Sequence, residues 1–189
     1  MNIGLYFGSF NPIHVGHLII ANHVLNETDV KKVWFIVSPQ NPLKNSLSLL
    51  NEYQRLHLVR TALMDDSRLK ASNIEFNLPR PSYTIDTLTY LEEKYPGHNF
   101  SIIMGSDSLL NLPGWKNYQQ LIKNYQFIIY QRADFEIIID AQSRIQVLKA
   151  PFLDISATMI RKLIKERKST RYLLPDGVRE EIESNGYYL

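Results

Sequence analysis

His14 and His17 lie three residues apart in the string Gly8-Ser9-Phe10-Asn11-Pro12-Ile13-His14-Val15-Gly16-His17. Imidazoles at i and i+3 share one face of a helix, and each ring can donate a hydrogen bond to a phosphate oxygen. The string follows the apolar run Ile3-Gly4-Leu5-Tyr6-Phe7 and leads into Leu18-Ile19-Ile20-Ala21. A strand is expected to enter a tight turn and then a helix, whose unpaired first N–H groups favour an anion. Gly8 would supply backbone freedom at the strand end. Pro12 suits a turn or a first helical position, and Gly16 would let a ligand approach the backbone. Together these features describe a phosphate site and point to nucleotide chemistry. The plain alternative is a helix cap with two incidental surface histidines. Zinc is disfavoured, because neither an HExxH nor a cysteine pattern accompanies the pair.

A second string, Ile155-Ser156-Ala157-Thr158-Met159-Ile160-Arg161, comes late in the chain. Ser156 can cap a helix, and its hydroxyl can reach a phosphate. Arg161 falls about a turn further on, where its planar fork could clamp a polyphosphate. Alone the string reads as a capped amphipathic helix; beside the first it becomes the other half of a phosphate clamp.

The elements that must carry these strings follow from periodicity. Strands are expected over 3–7, 33–37, 100–104, 127–130 and 145–148, with a weaker one over 70–74. Helices are expected over 15–26, 52–64, 85–95, 118–123, 158–165 and 177–184. Strand followed by helix, repeated, predicts an α/β fold, a doubly wound parallel sheet with helices on both faces. Ligands bind such sheets at the C-terminal strand ends, where the first string lies. Residues 1–189 read as one domain, in which 151–189 form a small helical C-terminal part carrying the second string. The loop 38–48 is too long for a simple turn and is a candidate substrate loop.

Composition narrows the function classes. The 189 residues are 44% hydrophobic and 21% charged, with no cysteine and a formal charge of +2. That charge is too small to argue for a nucleic-acid partner. Without cysteine there is no disulfide framework, zinc-thiolate site or cysteine nucleophile. No signal peptide or membrane-length apolar run is visible, so a cytoplasmic protein is expected. A homo-oligomer is compatible with the sequence. The basic run Lys162, Lys165, Arg167, Lys168 and Arg171 reads as a solvated helix end.

The first string resembles the GxFxPxHxGH signature of the nucleotidyltransferase α/β superfamily, and the second resembles that superfamily's ISSTxIR signature. Within the superfamily the chain is similar to the bacterial nicotinate-nucleotide adenylyltransferase family over nearly its whole length. The likeness includes Pro81-Ser82-Tyr83-Thr84 with Asp86-Thr87-Leu88, and Gly105-Ser106-Asp107 with Leu112 and Trp115. It extends to Tyr172-Leu173-Leu174-Pro175 and Asn185-Gly186-Tyr187.

The resemblance implies a Rossmann-like fold and transfer of the adenylyl group of ATP to nicotinate mononucleotide, with pyrophosphate released. It places Gly8, Ser9 and Phe10 along the ATP site, together with Gly16 and Ile155. His14 and His17 would bind the phosphates, and Ser156 and Arg161 would hold them from the other side. Gly105 and Asp107 would contact the ribose region. Ser82, Tyr83 and Thr84 would hold the mononucleotide and offer N–H groups to its carboxylate, with Trp115 stacked on the pyridine. Lys44 and Arg132 would reach phosphate. Magnesium would ride on the phosphates, without a dedicated protein metal site.

Read without the resemblance, Trp115 could plug a loop, Asp107 could cap a short helix at Ser108, and Lys44 could be a solvated loop lysine. Ser82-Tyr83-Thr84 could be a polar cap before a helix. The chain departs from the family pattern at three places. Asn11 stands where aspartate is common, Ala157 replaces a hydroxyl residue, and Leu43 precedes Lys44 where histidine is frequent. Competing readings are a sister adenylyl- or cytidylyltransferase acting on phosphopantetheine, glycerol phosphate or nicotinamide mononucleotide, and a non-catalytic nucleotide-binding domain. A tRNA synthetase fragment is disfavoured by the short chain without an anticodon domain.

Overall fold

Alternating side chains along the strands divide the apolar residues between two faces of one sheet. In β1 (Asn2–Gly8), Ile3 and Leu5 belong to one core cluster and Tyr6 to the other. In β2 (Lys32–Val37), Trp34 and Ile36 join the first of these, and Val33, Phe35 and Val37 the second. The same split recurs in β4 (Asn99–Gly105) and β5 (Gln126–Tyr130). A sheet apolar on both sides must be covered on both sides. The computed structural model shows this arrangement and describes residues 1–39, 49–131, 144–148 and 154–189.

One face packs against α1 (Val15–Glu27), α2 (Glu52–Leu63), α6 (Ala157–Lys165) and α7 (Asp176–Asn185) through Val24, Val59, Ile160 and Val178. The other packs against α3 (Thr84–Lys94) and α5 (Tyr118–Asn124) through Leu88, Leu91 and Leu121. With β3 (Leu69–Ser72) and β6 (Ile145–Leu148), the strand order is β3-β2-β1-β4-β5-β6. Every adjacent pair is parallel. The chain winds outward from β1 in one direction and from β4 in the other. The switch point therefore falls between β1 and β4, and the crevice lies beyond their C-terminal ends.

The expected elements are present, with bounds displaced by one or two residues. The weak strand over 70–74 ends earlier, at Ser72, and Ile74 instead opens a 3-10 turn, Ile74–Asn77. Two short elements are additional: α4 (Ser106–Leu109) and a 3-10 turn, Leu112–Gly114. Both lack the length over which an apolar period can show.

Candidate active site

A cleft of about 650 Å³ opens at this switch point, with Gly8, Ser9, Phe10 and Asn11 on one wall. The backbone there turns at Phe10, which takes the left-handed conformation at φ 45. Gly8 does not adopt a positive φ. It is required by contact, since a Cβ on Gly8 would lie 2.9 Å from the Phe10 ring. That ring is buried, 5.4 Å from Phe35 and 5.1 Å from His17 between centroids. The expected backbone freedom thus belongs to Phe10, and Gly8 makes room for its side chain. Pro12 follows a cis peptide bond and lies in a turn ahead of α1, not inside the helix.

His14 is the N-cap of α1 and His17 is its third residue. Their rings lie 3.8 Å apart, tilted by 34°, and both border the cleft. The His14 N–H donates to His17 Nδ1 at 3.2 Å. An accepting Nδ1 leaves the proton of the neutral His17 ring on Nε2, which makes that nitrogen a donor. The Val15 N–H donates to the Leu173 carbonyl and the His17 N–H to the His14 carbonyl. Several amides expected to greet an anion are therefore engaged within the protein, and the imidazoles present the donors at this point. Gly16 lies beneath His14, since its Cβ would sit 3.0 Å from His14 Nδ1 and 3.7 Å from Ile155. The absent side chain makes room for the His14 ring, while Ile155 would stand at ordinary contact distance.

The second string borders the same cleft. Ser156 caps α6, its Oγ accepting from the Met159 N–H at 3.2 Å. Arg161 reaches back across the cleft and donates to the Asn11 carbonyl at 2.7 Å and to Thr158 Oγ1 at 3.3 Å. The two strings thus meet directly, although 150 residues separate their bonded members. Ser156, Ala157, Thr158 and Arg161 all border the cleft. Asn11, buried, accepts the Leu50 N–H on its Oδ1 at 3.2 Å. An amide oxygen serves there as a plain acceptor, with no need of a carboxylate charge.

The other end of the cleft is built by α3 and α4. Tyr83 is the N-cap of α3 and Thr84 its first residue. Neither reads as a side-chain cap, because the N-cap makes no side-chain hydrogen bond to the helix and the Ser82 hydroxyl donates to Glu75 Oε2 at 2.8 Å. Gly105 caps α4, so Asp107 is inside that helix and not at its cap. Trp115 packs partly against the core and also borders the cleft. Gly105, Asp107, Ser82, Tyr83 and Thr84 share the same cleft. Lys44 and Arg132 lie outside the described residues, as does most of the loop 38–48.

Three cleft or near-cleft groups escaped sequence reasoning. Glu75 is 2% exposed, and burial pushes its carboxyl above the ordinary range despite hydrogen bonds from Ser82, Ser38 and Thr87. Lys116 extends over the Tyr83 ring, 4.9 Å from its centroid, and pairs with Asp86 at 2.8 Å. Arg55 is fully buried behind the wall. Its signal was present, since Arg55 shares the buried helical stripe of Leu58, Val59 and Leu63 at i+3, i+4 and i+8. A cation on such a stripe requires buried acceptors.

Among the described residues there is no cluster of three or more His, Asp or Glu suited to a metal. His14, His17, Ser156, Thr158 and Arg161 offer the cleft imidazoles, hydroxyls and a guanidinium, which suit an anion better than a hard cation. No helix of the described residues is long and apolar enough to cross a membrane.

Comparison with known proteins agrees with this geometry. The cytidylyltransferase-like family matches residues 5–163. A probable nicotinate-nucleotide adenylyltransferase of Cytophaga hutchinsonii is 49% identical over 189 residues, covering 100% of this chain and 98% of its own. That of Flavobacterium psychrophilum is 48% identical, covering 100% and 99%. In fold, the chain superimposes on the nicotinic acid mononucleotide adenylyltransferase of Plasmodium falciparum, solved with NaAD, with a TM-score of 0.83 at 20% identity. That match covers 99% of this chain and 97% of the other. A switch-point cleft carrying both phosphate strings, on a chain so closely related to these enzymes, has one assignment: the chain belongs to the cytidylyltransferase-like family and, within it, to the nicotinate-nucleotide adenylyltransferases.

Proposed function

We propose that this cleft transfers the adenylyl group of ATP to nicotinate mononucleotide, giving nicotinate adenine dinucleotide and pyrophosphate. One observation carries the assignment of roles: Arg161 and the His14–His17 pair border the same cleft as Ser82, Tyr83, Thr84 and Trp115. The mononucleotide phosphate is already an anion at neutral pH, so its oxygen attacks the α-phosphorus of ATP without a general base. The bond to the β-phosphate oxygen breaks, and pyrophosphate leaves with the electron pair.

In this reading catalysis consists of positioning and charge stabilisation. His17, with Nε2 as donor, and His14 stabilise the negative charge that builds on the transferring phosphate. Arg161 and Ser156 hold the leaving pyrophosphate. Gly8, Ser9 and Phe10 shape the ATP side, and Gly105 and Asp107 meet the ribose. Ser82, Tyr83 and Thr84 hold the acceptor, whose ring stacks on Trp115. Magnesium enters with ATP as part of the substrate. The protein acts in the cytoplasm on these small molecules.

The test is product identification. The protein is incubated with ATP, magnesium and each candidate mononucleotide, and the dinucleotide is analysed. Nicotinate adenine dinucleotide is expected, and its absence overturns the assignment. His17→Ala is expected to lower turnover by ~10²–10³, the usual cost of removing one donor to a charged transition state. Wild-type turnover in a variant lacking both imidazoles would refute their role.

A further inference from the structure

Three cations stand in or beside the cleft, and two of them are engaged with backbone carbonyls. Arg55 sends its guanidinium to the carbonyls of Leu50, Ser9, Ser38 and Pro39, in the loops after β1 and β2. Arg161 bridges the two strings through the Asn11 carbonyl. The third cation is Lys116. Apart from Arg161, it is the only lysine or arginine among the described residues that borders the cleft.

Lys116 follows Trp115 directly, between the 3-10 turn Leu112–Gly114 and α5. Its Nζ donates to both carboxylate oxygens of Asp86, at 3.0 and 2.8 Å, and lies 4.9 Å from the centroid of the Tyr83 ring. Asp86 is the third residue of α3, and Tyr83 is its N-cap. The ammonium therefore joins the segment that carries Trp115 to the entry of α3. The positive pole of the α3 dipole lies at that entry, and the ammonium adds a full charge of the same sign. The ion pair is exposed, its side chains 44% and 46% accessible, so it contributes little to stability.

We propose that the Lys116 ammonium is a specificity-determining charge, favouring an acceptor ring that bears a carboxylate over the same ring bearing an uncharged carboxamide, and that Asp86 sets its strength. This role rests on the adenylyl-transfer reading above, which gives the acceptor ring to Tyr83 and Trp115. The two acceptors differ by one negative charge on the ring substituent and by little in shape. Backbone N–H groups and a stacked indole serve both, since a carboxamide also presents a carbonyl oxygen as acceptor. A cation separates them, because it attracts the carboxylate by its full charge and the carboxamide only by its dipole. Asp86 holds Nζ over Tyr83 and, as an anion on the same ammonium, opposes that attraction.

The test compares nicotinate mononucleotide with nicotinamide mononucleotide in wild type, Lys116→Met, Lys116→Arg and Asp86→Asn. At saturating ATP and magnesium, kcat/KM is measured for each acceptor, and calorimetry gives the two Kd values. Lys116→Met is expected to lower the preference for the carboxylate by about fivefold, the effect of a unit charge about 4 Å away through water-like screening. The loss falls mainly on KM and Kd for nicotinate mononucleotide. Lys116→Arg is expected to keep the preference within about twofold, since the charge is retained. Asp86→Asn is expected to raise it, because the opposing anion is gone and the ammonium remains. Lys116→Met and Asp86→Asn break the same ion pair, so a merely structural latch would move both preferences in one direction. The charge moves them in opposite directions. An unchanged preference in Lys116→Met, or a fall in Asp86→Asn, would overturn the proposal. If wild type forms no dinucleotide from ATP and either acceptor, the adenylyl-transfer reading itself fails. If it forms one while Lys116→Met keeps the wild-type preference, only the role of Lys116 fails.

Discussion

Replacing Arg55 by methionine isolates the stabilising work of one buried cation. Arg55 is 0% exposed, and its four hydrogen bonds run between 2.6 and 2.9 Å. All four acceptors are carbonyls, so none changes its charge when the guanidinium is lost. Methionine refills much of the aliphatic stem, which keeps the cavity contribution small. What remains is four carbonyls without their donor, each costing ~1–3 kcal/mol if nothing replaces it. The removal of a desolvated charge offsets part of that sum. The measured cost of breaking buried charged interactions by removing one side is ~3–5 kcal/mol, and Arg55→Met is expected in that range. For a chain of this size, each kcal/mol lowers the thermal midpoint by about 2–4 °C, so the expected fall is roughly 6–20 °C. Thermal unfolding followed by circular dichroism at neutral pH measures it. Arg55→Lys is expected to fall between wild type and Arg55→Met, because one ammonium cannot reproduce the fork that reaches both loops. A midpoint for Arg55→Met within about 3 °C of wild type would refute the reasoning, because the carbonyls would then have found other donors at little cost.

Trp115→Ala is expected to raise KM for nicotinate mononucleotide while leaving that for ATP nearly unchanged. Loss of one stacked ring is worth ~1–2 kcal/mol, or about 5–30-fold; equal changes in both KM values would contradict its place at the acceptor end. Glu75 predicts a pH dependence of stability. Burial raises its folded value above the ordinary 4.5, so its contribution is fully present at pH below the unfolded value and is lost as pH rises through the folded one. Glu75→Gln removes that slope, and its thermal midpoint relative to wild type is expected to climb from pH 4 toward neutral. A difference independent of pH would count against a raised carboxyl.

The sheet was legible because its evidence is local. Alternation along β1, β2, β4 and β5 is written in consecutive residues, and burial on both faces follows from both sets being apolar. That His14, His17 and Arg161 border one cleft was legible for a similar reason, since they announce themselves by type and spacing. What escaped is defined by partners distant in sequence. Arg55 stands on the apolar stripe of α2, but its acceptors show only once the loops after β1 and β2 are folded over it. Glu75 reads as a turn residue until Ser38, Ser82 and Thr87 converge on it.

Gly16 shows the same limit from the other side. Its type correctly marked a crowded position, but the sequence alone assigned the space to a ligand. The structure gives that space to the His14 ring. The difference has a chemical consequence. A glycine that admits a ligand acts on binding, whereas one that admits His14 acts on where an imidazole stands relative to its neighbour 3.8 Å away. The second string meets the first through Arg161, whose guanidinium donates to the Asn11 carbonyl. The two strings are therefore one construction, joined by a hydrogen bond between residues far apart in sequence and bordering one cleft.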